Sequence, residues 1–129
     1  MSLMFDLFRH EPTFVDIAAG NYLFREGDAS KEVMYVLIAG KASILVGDKL
    51  VEEAGAGTIV GEMGIIHPHE QRSASILALT DCRFADLNAR RFKYLVSEAP
   101  YFAIDVMQVL ADRLRRADAQ LAKHEPPHA

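Results

Sequence analysis

From Thr13 to Leu87 turn residues cut the sequence into short β-branched and aromatic runs every eight to twelve positions. A helix needs a longer unbroken apolar period, so this stretch is predicted to fold as many short strands, in a β-sandwich or barrel. The runs are TFVDI, NYLFRE, VMYVLIAG, KASILVG, KLVEEA, GTIV, SASILAL and CRFADL. Gly47-Asp48 between two of them predicts a two-residue hairpin with a primed turn. Gly20-Asn21, Gly27-Asp28, Gly40 and Gly55-Ala56-Gly57 mark the other reversals.

Helical patterns flank this region. Leu3, Met4, Leu7 and Phe8 predict a short amphipathic helix that Pro12 closes. Asn88 reads as the N-cap of a second helix with Phe92, Leu95 and Val96 on one face, and Pro100 suits the first turn of a third. In that last helix Ala103, Met107, Leu110, Leu114, Ala117 and Leu121 form a heptad seam. Phe102, Val106 and Val109 widen the apolar stripe over its first half only. The first half is therefore expected to pack on the β-region, and the second to meet a copy of itself in a homodimer or a partner's helix. The fold expected is mainly β, a single domain over 1–123 with its β-part at 12–87 and C-terminal helices at 88–123. A disordered tail, 124–129, is expected beyond Lys123, with Pro126-Pro127 stopping the helix.

One domain of 129 residues can bury a core without metal or disulfide staples. A net charge of −4 and a pI near 5.7 offer no attraction for nucleic acid or an anionic membrane. No apolar run reaches the roughly 18–20 residues that span a bilayer, and the acids in MSLMFDLFRHE argue against a secretory signal. The single Cys82 alternates with Phe84 and is expected to be a small buried core residue in a reducing cytoplasm.

The chemistry concentrates in GTIVGEMGIIHPHEQRSASILAL. Gly61 permits close backbone approach, and Glu62 to Ile66 can make one short helical turn whose free amides favour an anion. Pro68 ends that turn. Arg72 is expected to enter the next strand with its guanidinium free to grip a phosphate bidentately. Glu62 can accept from a sugar hydroxyl, and Ser73 adds a small donor. Amides, one arginine and one carboxylate together suit a phosphate attached to a ribose.

The segment resembles the phosphate-binding cassette of the cyclic nucleotide-binding domain. That pattern is roughly F-G-E-[LM]-[AG]-L, a short loop, then R-[ASC]-[AS]; here stand Val60-Gly61-Glu62-Met63-Gly64-Ile65 and Arg72-Ser73-Ala74-Ser75. Upstream, Gly27, Asp28, Tyr35, Val36, Gly40 and Val46 match the family's strand-glycine-strand signature. The resemblance covers nearly the whole chain. It implies a double-stranded β-helix, a jelly-roll-like β-roll, and a sensor for cAMP or, second, cGMP. By that resemblance Arg72 neutralises the cyclic phosphate and Glu62 holds the ribose 2′-hydroxyl. Amides near Gly61, Gly64 and Ser73 complete a cradle that also takes in Met63 and Ala74. Ile59, Val60, Ile65 and the strand after Arg72 supply apolar walls. On the last helix Arg113, Arg116, Ala117 and Asp118 are the candidates for base contacts, Asp118 as acceptor for an adenine amino group.

Two other readings of the same residues lead elsewhere. Glu62 and Arg72 can be a surface ion pair in a degenerate fold that serves as a protein-interaction module. His67 and His69 have the H-x-H spacing of a cupin-like metal site, but no histidine follows until His124, so both are expected in an exposed loop without metal. Relatives of the resembled family read DNA with a helix-turn-helix beyond the long helix, whereas here eight residues follow Leu121, which predicts no direct DNA contact. No nucleophile–base set or triphosphate loop is visible, so a non-enzymatic sensor is expected.

Overall fold

The computed structural model describes residues 3–124; of the tail expected at 124–129, His124 is the last residue of the final helix and 125–129 lie outside the described residues. Twelve elements follow one another: α1 (Leu3–Phe8), β1 (Val15–Ile17), β2 (Tyr22–Phe24), β3 (Val33–Ala39), β4 (Ala42–Val46), β5 (Lys49–Ala54), β6 (Ile59–Val60), α2 (Met63–Ile66), β7 (Ser75–Ala78), β8 (Cys82–Asn88), α3 (Ala89–Glu98) and α4 (Pro100–His124). Each of the eight expected runs contains a strand. They form two antiparallel four-stranded sheets, ordered β1-β8-β3-β6 and β2-β7-β4-β5. This is the mainly-β roll with flanking helices that the sequence predicts.

The hairpin sits where its turn residues stand. Val46 pairs with Lys49 across Gly47-Asp48, and Gly47 takes φ +61, the left-handed conformation a primed turn requires. The Asn88 side chain accepts from the Arg91 amide at 2.9 Å, capping α3 as expected.

Strand parity divides the core in two. Met34, Val36, Ile59, Ala85 and Leu87 face α1 and α4, where Met4, Phe8, Phe102 and Val106 cover them. The alternate residues Leu37, Val60 and Phe84 point into the roll, against Ala42, Ala54, Ile76 and Ala78 of the other sheet. Cys82 is buried in this second cluster with its thiol pushed above the usual range, chiefly by desolvation. The first half of α4 thus packs on the roll. In its second half Leu114, Ala117 and Leu121 are exposed, and so is Met107 before them. No helix of the described residues is long and apolar enough to cross a membrane.

Candidate functional site

At the open end of the roll a cavity of about 290 Å³ collects residues distant in sequence. Gly61, Glu62, Met63 and Gly64 line it from the β6–α2 turn, and Arg72, Ser73 and Ala74 from the segment leading to β7. Phe24, Ile44, Val46, Val51, Val60 and Ile76 supply apolar walls. Ile59 and Ile65, expected as walls, are not: each packs toward the helices. Parity explains Ile59, because only one of two successive strand residues can face the roll interior, and that residue is Val60.

Arg72 is the centre of the site. It does not enter β7, which begins at Ser75; it lies in the segment between α2 and β7, braced by the β2–β3 loop. Its amide donates to the Asp28 carbonyl at 2.7 Å and its carbonyl accepts from Gly27 at 2.9 Å. Ser30 Oγ ties the same loop to the Pro68 carbonyl at 2.9 Å. The residue is only 6% exposed. Nη1 donates to the Gly61 carbonyl at 3.1 Å and Nη2 to that of Val33 at 2.9 Å, while Nε is buried without a partner. The guanidinium carbon stands 4.2 Å from the Phe24 ring centroid. Burial lowers the guanidinium pKa, and the fields of Tyr35, Asp28 and Glu62 offset this in part. Arg72 takes part in none of the ion pairs among the described residues. The surface pair with Glu62 therefore does not form.

The glycines are shaped around that guanidinium. A Cβ on Gly64 would meet Arg72 Nη1 at 2.7 Å, and one on Gly61, which also holds φ +74, at 2.8 Å. The one-turn α2 forms as expected, but its amides are partly spent. Gly64 donates to Gly61 at 3.0 Å, and Ile65 and Ile66 to Glu62 at 3.0 and 3.1 Å. The Gly64 amide is thus not free for an anion; the amides of Met63, Ser73 and Ala74 take part in none of these bonds.

Glu62 is held from α4. Arg113 Nη1 donates to Glu62 Oε1 at 3.1 Å, its Nε to Glu52 Oε1 at 3.0 Å, and its Nη2 to the Ile59 carbonyl and Glu52 Oε2. Arg116 adds a 2.7 Å bond to Glu52 Oε1. Of the four α4 candidates, Arg113 lines the cavity, whereas Arg116 and Ala117 line an adjoining one of about 260 Å³ between β5 and α4. Asp118 lines neither and is exposed. Both arginines are engaged with Glu52 through their N–H groups. The sequence reading missed Glu52. Its one local signal is parity with Ala54, which is buried in the roll.

His67 and His69 are exposed on either side of Pro68, and the described residues contain no group of three or more side chains able to hold a metal.

A family model described as the cyclic nucleotide-binding domain matches residues 14–99. The chain belongs to that family. The domain is 33% identical over 117 residues to the Pycsar effector protein PaPycTIR of Pseudomonas aeruginosa, covering 90% of this chain and 38% of the relative. It thus spans well under half of that protein. Among solved structures, a cyclic nucleotide-binding domain from Methylobacillus flagellatus KT superposes with a TM-score of 0.73 at 25% identity, over 90% of this chain and 70% of that one. The cAMP-bound form of the EAL enzyme Bd1971 superposes with a TM-score of 0.59 at 35% identity, over 85% and 30%.

Proposed function

We propose that the domain is a regulatory sensor that binds a 3′,5′-cyclic nucleotide in the 290 Å³ cavity. The observation that carries this reading is Arg72: a deeply buried guanidinium, unpaired by any carboxylate, with Nε lacking a partner. Such a charge costs several kcal/mol to bury, and an anion in the cavity it lines would offset that cost. In this reading Arg72 takes the cyclic phosphate together with Met63, Ser73 and Ala74, while Gly61 and Gly64 leave room for the guanidinium. Glu62 accepts from the ribose 2′-hydroxyl. The base then lies toward Val46, Val51 and Arg113.

cAMP is the first ligand to test, since a solved neighbour is a cAMP-bound form, and cGMP the second. Asp118 is exposed and lines neither cavity, so in this reading the choice of base rests on the cavity residues. Arg113 joins Glu62 Oε1 to α4, and a hydroxyl arriving at Glu62 shares the same carboxylate. Binding would thereby shift α4 between arrangements differing by a few kcal/mol. The exposed seam of Met107, Leu114 and Leu121 fits a homodimer as the receiver of that shift. The proposed role is regulatory rather than catalytic, without direct contact to DNA or membrane. The cytoplasm is the compartment in which the free thiol of Cys82 stays reduced.

The test is titration calorimetry with the four 3′,5′-cyclic ribonucleotides, with Arg72→Ala as control. Saturable binding that the substitution abolishes is expected. A folded protein that takes up none of the four would sink the sensor reading and leave an interaction module on the same fold.

A further inference from the structure

Three positive and two negative side chains meet around the cavity. Arg72 and Arg113 line it with Glu52 and Glu62, and Arg116 joins them through Glu52. They leave one net positive charge. Glu52 decides that total, because its carboxylate, 11% exposed, receives both α4 arginines. It sits on β5 opposite Ile44 of β4, and it lines both the nucleotide cavity and the adjoining one. No other acid borders both.

The position of Glu52 relative to Glu62 is equally specific. One guanidinium, that of Arg113, bonds to both carboxylates. A ribose held at Glu62 by its 2′-hydroxyl would therefore put the rest of the nucleotide within reach of Glu52 and the arginines it restrains. A 3′,5′-cyclic phosphodiester brings one negative charge and neutralises the cluster. An open monophosphate carries nearly two near pH 8, since its second proton leaves with a pKa of about 6. The second charge would have no counter-charge while Glu52 occupies Arg116.

We infer that Glu52 is a specificity-determining residue: by holding Arg113 and Arg116 it matches the site to a singly charged cyclic monophosphate and against doubly charged nucleoside monophosphates. This rests on the nucleotide reading above. Without Glu52, Arg116, whose side chain is 61% exposed, is free to reach a second phosphate charge. Glu52 acts here through the arginines and through charge. Its packing is not the agent, and that makes the inference separable from a structural role.

The experiment compares dissociation constants of cAMP with 5′-AMP, and of cGMP with 5′-GMP, at pH 8 by calorimetry. Glu52→Gln is expected to narrow the cyclic-over-open preference by roughly tenfold, chiefly by tightening the monophosphate. Glu52→Gln combined with Arg116→Gln returns the cluster to one net positive charge and is expected to restore the wild-type ratio. Arg116→Gln alone, which keeps Glu52 and does not depend on its variants folding, is expected to widen the ratio by a similar factor. A ratio that stays within about twofold of wild type in Glu52→Gln and Arg116→Gln would overturn the inference. So would a double variant that fails to recover, which would make Glu52 merely structural. Wild-type protein that binds neither member of a pair overturns the nucleotide reading itself, and this inference with it.

Discussion

Arg113 Nη1 lies 3.1 Å from Glu62 Oε1, so the long C-terminal helix grips the acid of the β6–α2 turn directly. The same guanidinium also takes Glu52 and the Ile59 carbonyl. Removing it strands the Glu62 carboxylate and leaves Glu52 with Arg116 alone, both acids being only about a tenth exposed. Arg113→Ala is expected to destabilise the domain by about 2–4 kcal/mol, somewhat below the full cost of breaking a buried pair because the guanidinium keeps some solvent. Urea unfolding measures this. Arg113→Lys should recover little of it, since a point charge cannot span two carboxylates and a carbonyl as the planar fork does.

Arg72 should behave in the opposite way. Its charge is buried and unpaired, so replacing it with an apolar residue of similar length removes a desolvation cost along with two hydrogen bonds and the Phe24 contact. Arg72→Met is expected to unfold at the same temperature as wild type or higher in the absence of nucleotide. It is expected to lose about 3–5 kcal/mol of nucleotide affinity. A large drop in melting temperature would show that Arg72 serves the fold.

Gly64→Ala tests whether the turn is built around the guanidinium. The added methyl would stand 2.7 Å from Arg72 Nη1 and 3.1 Å from the Val33 carbonyl, so the arginine must move. A loss of about 1–3 kcal/mol in stability is expected, together with weakened nucleotide binding. Unchanged affinity would mean that the guanidinium position seen here is not the one the ligand uses.

Asn88→Ala removes the cap of α3 far from the cavity. A loss of about 1 kcal/mol is expected from the missing bond to the Arg91 amide. Nucleotide affinity should stay put, which makes this variant the control for general destabilisation.

Met107, Leu114 and Leu121 are each more than half exposed at seven-residue spacing. Sedimentation of the wild type is expected to show a concentration-dependent dimer, and Leu114→Glu a monomer. A wild-type protein that stays at 14.3 kDa at high concentration would remove the dimer from the proposal.

Much of this was legible in the sequence because local chemistry carried it. The turn glycines and the β-branched runs between them set the strands, Asn88 set the start of α3, and Gly61, Glu62 and Arg72 marked the loop. These are short-range signals: left-handed backbone at Gly47 and Gly61, an orphan amide at a helix start, apolar residues at a fixed period.

What the sequence alone did not determine were the pairings across the fold. Nothing near Glu52 says that a residue sixty-one positions later will ion-pair with it, because the link forms only when α4 lies over β5. Nor does any local pattern state that Ile59 turns toward the helices while Val60 turns to the cavity, or that Arg72 stops short of β7 and points into Gly61 and Gly64. The sequence determined which elements exist and which loop carries the chemistry. Tertiary structure decided which charges meet there, since an ion pair needs two groups within a few ångströms and only the packed chain brings distant residues that close.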